Sequence, residues 1–247
     1  MAKYVYTLSS AGLMPNWAFL SIKSLSEYVS REDIVVFFTP PRDEEDIKIL
    51  ESLGVDVRLV KNSTNAFSAF DQPQHYGEKT WVSEIEDSTA VFLDCDTLIF
   101  GDISTAIEGD FQFKARPGTS AVRQPEWKNL FERFDEQYMS WMPNAGFIIF
   151  KSRLHQKIGE KWRSYINKEL NYSHDVNHKE QYALALSIGD ADKEKMTDRE
   201  HVMMWNGEYP SKGLVYHVGS TMDGETPPST FKGNINIAFK KLLEGNI

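Results

Sequence analysis

The sequence predicts an α/β fold: one domain over residues 1–247 with a mostly parallel, Rossmann-like sheet flanked by helices. Three observations carry this. Apolar runs of strand length, KYVYTL at 3–8 and IVVFF at 34–38, alternate with segments of helical spacing. Ile34–Phe38 is apolar without interruption, as expected of a strand covered on both faces of a parallel sheet. Residues 90–103, AVFLDCDTLIFGDI, form an apolar strand that ends in Asp94-Cys95-Asp96, after which apolar residues resume at once.

Each element follows from local pattern. Lys3–Leu8 reads as the first strand, and Asn16–Val29 places Phe19, Ile22, Leu25 and Val29 at helical spacing. Ile34–Phe38 is the second strand, stopped by Pro40-Pro41. Glu44–Leu53 is a helix with acids in its first turn and Gly54 as its carboxyl cap, and Val55–Val60 is the third strand. A polar loop, a helix around Lys79–Ile85 and the strand Ala90–Leu93 come next. Ligands of open α/β sheets bind beyond the carboxyl ends of strands, where Asp94 and Asp96 fall. The second half is less regular, with strands at Gln112–Ala115, Ala145–Phe150 and Leu214–Val218 and helices at Trp127–Tyr138, Arg153–Leu170 and His178–Ile188. A Gly/Pro/Thr stretch, Gly219–Lys232, is long enough to act as a lid, and a terminal helix follows at about Ile235–Leu243. The chain divides at about residue 100, just after the strand that carries Asp94 and Asp96.

Composition narrows the function. The 247 residues are 41% hydrophobic, with 15 Phe, 10 Tyr and 6 Trp, ample for a packed core. A net charge of −9 argues against general nucleic-acid binding, so a phosphate-bearing ligand must be held by a local metal or a few bases. Cys95 is the sole cysteine and no intrachain disulfide can form. The opening MAKYVYTLSSAGLMPNWAFLSI has too short an apolar run for a signal peptide or transmembrane segment, and the expected compartment is cytoplasmic. Asn62-Ser63-Thr64 and Asn171-Tyr172-Ser173 are then chance glycan sequons.

Two carboxylates at the end of a buried strand are unfavourable unless a cation compensates them. Mn²⁺ or Mg²⁺ accepts one or two carboxylates and leaves positions for substrate phosphates. Haloacid-dehalogenase-type phosphatases also place Asp-x-Asp at a strand end, and Gly189-Asp190-Ala191-Asp192 could serve as their second acidic motif. Their first motif lies on the first strand, however, and carries Thr where this chain has Leu98. A sugar-1-phosphate nucleotidyltransferase would need a basic Gly-rich loop after the first strand, and SSAGLMPNW holds one Gly and no base. A catalytically silent carbohydrate-binding protein would have no need of both aspartates together with Asn144 and His217.

The chain resembles the GT-A class of nucleotide-sugar glycosyltransferases, closest to its glycogenin-like, lipopolysaccharide-galactosyltransferase-like retaining family. LMPNWAFLSIKSL, YGEKTWVSEIEDSTAVFLDCDTLIFGDIS, PNAGFIIF, HKEQYALAL and VYHVGS carry the resemblance, in the family's order, over about two thirds of the chain. It departs from the pattern in His217-x-Gly219, one residue short, in the absence of a following Lys-Pro-Trp, and in Glu180, where the family has Asp. Thr7, Ser9 and Ser10 stand where the family has an Asp after its first strand.

The resemblance implies a metal-dependent transfer of a hexose from a nucleoside-diphosphate sugar, UDP-linked, with retention, to a saccharide, lipid-linked or protein acceptor. Asp94, Asp96 and His217 would bind the metal, with Asp94 able to contact the ribose instead. Asn144, Glu180 and Gln181 would act on the donor sugar. Thr7, Ser9 and Lys79 would line the nucleotide and diphosphate, with residues 1–100 or so as the nucleotide-binding half and the remainder as the sugar and acceptor half. Lys232, after the Gly/Pro/Thr stretch, could reach the diphosphate as that loop closes. The residues alone leave inversion open, because Glu180 or Asp223 could act as a carboxylate base. Trp141 and Trp205 are the candidates for acceptor stacking.

Overall fold

A computed structural model describes residues 1–11, 14–63, 75–118, 125–168, 179–203 and 213–218. Strand β1 (Ala2–Leu8) leads to helix α1 (Met14–Leu25), β2 (Ile34–Phe38), α2 (Glu44–Ser52) and β3 (Asp56–Leu59). Helix α2 begins where Asp43 Oδ1 accepts the Glu45 N–H and ends before Gly54, whose φ of +75° suits glycine. A four-residue helix α3 (His75–Glu78) runs into a 3₁₀ helix, Lys79–Glu84. The α-helix expected around Lys79–Ile85 is therefore replaced by a tighter turn. Here β-branched Thr80 and Val82 are poor helix formers, and Ser83 Oγ donates back to the Thr80 carbonyl.

Strand β4 (Thr89–Leu93) delivers the two aspartates, and β5 (Thr97–Ile99) starts immediately after them. The chain continues through a 3₁₀ turn (Ile103–Ile107), β6 (Phe113–Pro117), α4 (Glu126–Phe134), β7 (Pro143–Phe150), α5 (Leu154–Asn167) and α6 (Lys179–Ile188). Short strands β8 (Lys193–Lys195), β9 (His201–Met203) and β10 (Val215–His217) complete the described elements. Helix α4 stops at Phe134, short of the expected Tyr138, because Asp135 turns into the left-handed region at φ 52°.

The seven-stranded sheet has the order β3-β2-β1-β4-β7-β6-β8. Pairs β3·β2, β2·β1, β1·β4 and β6·β8 are parallel, and β7 alone runs against its neighbours. The sheet is mostly parallel, as expected, except for this reversed strand. Its two faces carry two separate apolar clusters, one built on Val5, Phe92, Ile148 and Trp162, the other on Tyr6, Leu8, Ile22 and Phe147. A second, three-stranded sheet, β5-β10-β9, has no counterpart in the sequence reading. There Thr97 lies opposite His217, and His217 opposite Met203.

No helix among the described residues is long and apolar enough to cross a membrane. The expected lid Gly219–Lys232, the terminal helix, Lys232, Asp223 and Trp205 lie outside the described residues.

Candidate metal and donor-binding site

The site forms where β4 ends and several other segments converge on it. Asp94 and Asp96 leave the last turn of β4, and the Asp94 N–H donates to the Gly146 carbonyl of β7 (2.8 Å). His217 arrives on β10, held there by the Val218 N–H, which donates to the Asp96 carbonyl (2.8 Å). His217 Nε2 then lies 3.2 Å from Asp96 Oδ1 and 3.8 Å from Asp94 Oδ2. The three side chains offer one ligand atom each within 4.8 Å of one another. Two carboxylate oxygens and one imidazole nitrogen are a donor set suited to Mn²⁺ or Mg²⁺, with the nitrogen favouring Mn²⁺.

Charge points the same way. Lys79 is buried and ion-paired to Asp94 Oδ2 (2.9 Å), lies 3.8 Å from Glu180 Oε1, and donates to the Ala145 carbonyl (3.2 Å). Three carboxylates thus face one ammonium, and even a charged His217 leaves one uncompensated. Burial pushes Asp94 upward by more than the Lys79 ammonium pulls it down, with Asp96 adding to the rise. Burial also acts on Asp96, but the His217 imidazole outweighs it and holds this carboxyl below its ordinary value. Burial depresses Lys79, while Asp94 and Glu180 together more than offset that and keep it protonated. His217 is raised because Asp96 overcomes the cost of burying its charge. The lysine expected near the donor is therefore the counter-ion that lets two acids sit in the interior.

Behind His217 stands His201 of β9, a residue that the sequence reading passed over. Its Nε2 is 3.3 Å from His217 Nδ1 and the rings stack 5.4 Å apart at 9°. Burial, reinforced by the charge of His217, keeps His201 well below its usual range, so it stays neutral. A neutral His201 that accepts from Nδ1–H leaves His217 Nε2 turned to the aspartates, the arrangement that orients metal-bound histidines.

Gly146 makes room for this imidazole. A Cβ there would come within 2.1 Å of His217 Cε1 and 2.3 Å of Nδ1. Gly146→Ala is expected to displace His217 and lower Mn²⁺ affinity by at least about 10-fold, the scale of losing an orienting partner. A Mn²⁺ titration followed by electron paramagnetic resonance checks it, and an unchanged midpoint would contradict the close fit.

Glu180 and Gln181 open helix α6, which is anchored by Trp162 Nε1 donating to the Glu180 carbonyl (3.0 Å). Both side chains are buried, and Glu180 Oε2 and Gln181 Oε1 have no hydrogen-bond partner among the described residues. Burial raises Glu180 to about 7 despite the Lys79 ammonium. Asn144 Oδ1 accepts the Gly146 N–H (2.9 Å), which leaves contact with a ligand to its NH₂. Thr7, the penultimate residue of β1, lies beside the aspartate turn, its carbonyl accepting the Cys95 thiol at 3.6 Å. Ser9 lies just beyond, its Oγ accepting the Ala11 N–H. Trp141 packs at 6.2 Å against Phe113 with the Lys195 ammonium over its ring.

The structure thus gathers Asp94, Asp96, His217, Lys79 and Glu180 into one cluster, with Gln181 beside Glu180 and Asn144 beside Gly146. Asp190 and Asp192 are remote. The Asp192 carbonyl accepts the N–H of Phe113, whose register partner Phe150 lies opposite Ala90, at the far end of β4 from Asp94. The acidic pair needed for a dehalogenase-type phosphatase is not assembled.

No protein-family model and no curated protein matches the sequence. Solved structures do match in shape. The galactosyltransferase LgtC, in complex with donor and acceptor sugar analogs, superposes with a TM-score of 0.65 at 12% identity, over 94% of this chain and 99% of that one. The glycosyltransferase GlyE of Streptococcus pneumoniae TIGR4 gives 0.60 at 15% identity, covering 88% of this chain and 55% of that one. Mouse xyloside xylosyltransferase 1 in its apo form gives 0.54 at 11% identity, over 90% and 99%. At these identities the likeness is one of fold. The fold is GT-A, the one these glycosyltransferases share, and the Asp-x-Asp pair lies at a strand end within it.

Proposed function

We propose that this chain is a metal-dependent glycosyltransferase that moves a hexose from a nucleoside-diphosphate sugar, UDP-linked, to an acceptor hydroxyl. The observation that carries the reading is the convergence of Asp94, Asp96 and His217 within 4.8 Å beside the unpartnered acceptor oxygens of Glu180 and Gln181. A buried acceptor oxygen without a partner is unfavourable and calls for a donor from the ligand, which sugar hydroxyls supply.

Asp94, Asp96 and His217 would hold the cation, which when bound supplies Lewis-acid stabilisation of the departing nucleoside diphosphate. Glu180 and Gln181 would accept from donor-sugar hydroxyls, and their negative potential would favour the positive charge that develops at the anomeric carbon. The Asn144 NH₂ would donate to the sugar from the start of β7. Thr7, Ser9 and Lys232 would line the nucleotide and diphosphate, with Gly219–Lys232 as lid. Lys79 would hold Asp94 ionised rather than touch the phosphates, since its ammonium already serves two carboxylates. Retention is the outcome that the resemblance to the glycogenin-like family supports. A Glu180 pKa of about 7 also suits a general base, the role an inverting reaction needs, and NMR of the product anomer separates the two.

The test is nucleotide binding as a function of Mn²⁺, in wild type and His217→Ala. Wild type is expected to bind UDP only with Mn²⁺, and the variant to need at least about 10-fold more metal. Thermal stability without metal should fall as well, because Asp96 loses its 3.2 Å partner, so the metal midpoint is the deciding readout. An unchanged metal midpoint, or UDP binding indifferent to Mn²⁺, would overturn the assignment.

A further inference from the structure

A line of buried hydroxyl groups leads from β1 through α1 to the aspartate turn. Tyr6 OH of β1 lies 3.0 Å from Ser21 Oγ of α1, and Ser21 Oγ lies 3.0 Å from Thr97 Oγ1 of β5. Thr97 Oγ1 donates to the Asp94 carbonyl at 2.7 Å. Each hydroxyl has one proton, so the last bond fixes the direction of the others. Thr97 gives its proton to Asp94, hence accepts from Ser21, and Ser21 hence accepts from Tyr6. All three side chains are buried, so water cannot replace a missing member.

Thr97 sits where this line meets the rest of the site. Its N–H also donates to the Asp94 carbonyl (3.2 Å), and its register partner in the second sheet is His217. Helix α1 grips the same strand a second time, through the Ile99 N–H donating to Ser24 Oγ (3.0 Å). One residue therefore couples the turn that presents Asp94 and Asp96 to the strand that presents His217.

Resting on the reading of Asp94, Asp96 and His217 as a cation site, we propose that Thr97, oriented by Ser21 and Tyr6, is a positioning residue that holds the carboxylate turn and the His217 strand in cation-binding register. Thr97 touches neither cation nor donor and acts through the Asp94 carbonyl and the His217 backbone. Its hydroxyl is what matters, so an isosteric valine removes the function and serine keeps it.

Mn²⁺ binding to the full chain, followed by electron paramagnetic resonance together with apo thermal stability, tests this. Thr97→Val is expected to weaken Mn²⁺ binding by about 10-fold and broaden the bound-ion spectrum, with Thr97→Ser restoring both. Ser21→Ala and Tyr6→Phe should weaken binding progressively less, in order of distance along the line. Apo stability should follow a different order, with Thr97→Val and Ser21→Ala lowered alike, because each leaves one buried hydroxyl, Ser21 or Tyr6, without an acceptor. Wild-type-like binding in Thr97→Val overturns the proposal, as does a loss of affinity that merely tracks loss of stability. If the valine variant fails to fold, Tyr6→Phe decides, and no shift in its midpoint overturns the proposal. Absence of Mn²⁺ binding in the wild type overturns the cation site as well, which separates that failure from the others.

Discussion

Asp96→Asn is expected to abolish cation binding and donor turnover while leaving the fold intact. Its carboxylate is the one in the cluster held below the ordinary range, so it is the ligand most fully ionised at every working pH. A neutral amide removes one of the two carboxylates in the proposed ligand set and the partner 3.2 Å from His217 Nε2. Losing an outer-shell partner already lowers metal affinity by about 10–100-fold, so losing this ligand should exceed about 100-fold. The neighbouring change differs in kind. Asp94→Asn strips the buried Lys79 ammonium of its 2.9 Å carboxylate and leaves it the Ala145 carbonyl at 3.2 Å and the more distant Glu180 carboxylate at 3.8 Å. Breaking a buried pair from one side costs about 3–5 kcal/mol, so Asp94→Asn should lose stability as well as activity. Calorimetry of the two apo variants beside their Mn²⁺ titrations checks the contrast, and full turnover of Asp96→Asn, or of wild type in EDTA, would remove the metal from the reading.

Glu180→Gln should cut turnover by about 100-fold, the scale of losing one charge-stabilising group, and yet make the protein more stable. Burial lifts the Glu180 carboxyl to about 7 from an ordinary 4.5. Between those values the folded chain holds a proton that the unfolded chain has released, so stability falls as pH rises through that window. Above pH 7 the whole penalty is present, on the order of 3 kcal/mol for a shift of this size. Glutamine carries no such penalty. The variant should melt close to wild type near pH 4.5 and well above it at pH 8. A gap that is the same at both pH values would mean that Glu180 is not a buried, proton-sharing carboxyl.

The sequence made much of this site readable, for specific reasons. An uninterrupted apolar run placed β4 in the interior, and the apolar sequence on both sides of its two terminal acids left little room for solvating them in a surface turn. Strand β2 was legible with its bounds intact, as IVVFF between polar flanks and a Pro pair. Strands β5, β8 and β9 were not, because three residues carry no period, and KEK at the sheet edge reads as surface. Missing β9 meant missing His201, whose HVM setting resembles any short core segment. The direction of β7 was illegible because PNAGFIIF is buried along its whole length and looks the same in either sense. That reversal explains why Asn144 and Gly146 reach the site from the start of their strand, whereas Asp94 and Thr7 reach it from the ends of theirs. Lys79 was placed near the donor by resemblance, but only the fold revealed that its charge is held by two acids.

The antiparallel pairing of β5 with β10 has a consequence for how the molecule is made. It joins Thr97 to His217 across more than a hundred residues of intervening chain. Contacts of such long sequence separation form late, after loop closure has been overcome by earlier local structure. A nascent or partly folded chain that has built β1, α1, β2 and β4 therefore displays the aspartate pair without the imidazole. On the proposed reading, cation affinity belongs to the finished topology, and metal that binds only that topology would draw the folding equilibrium toward it. Occupancy of the proposed site would then serve as a chemical signature that β10 has docked.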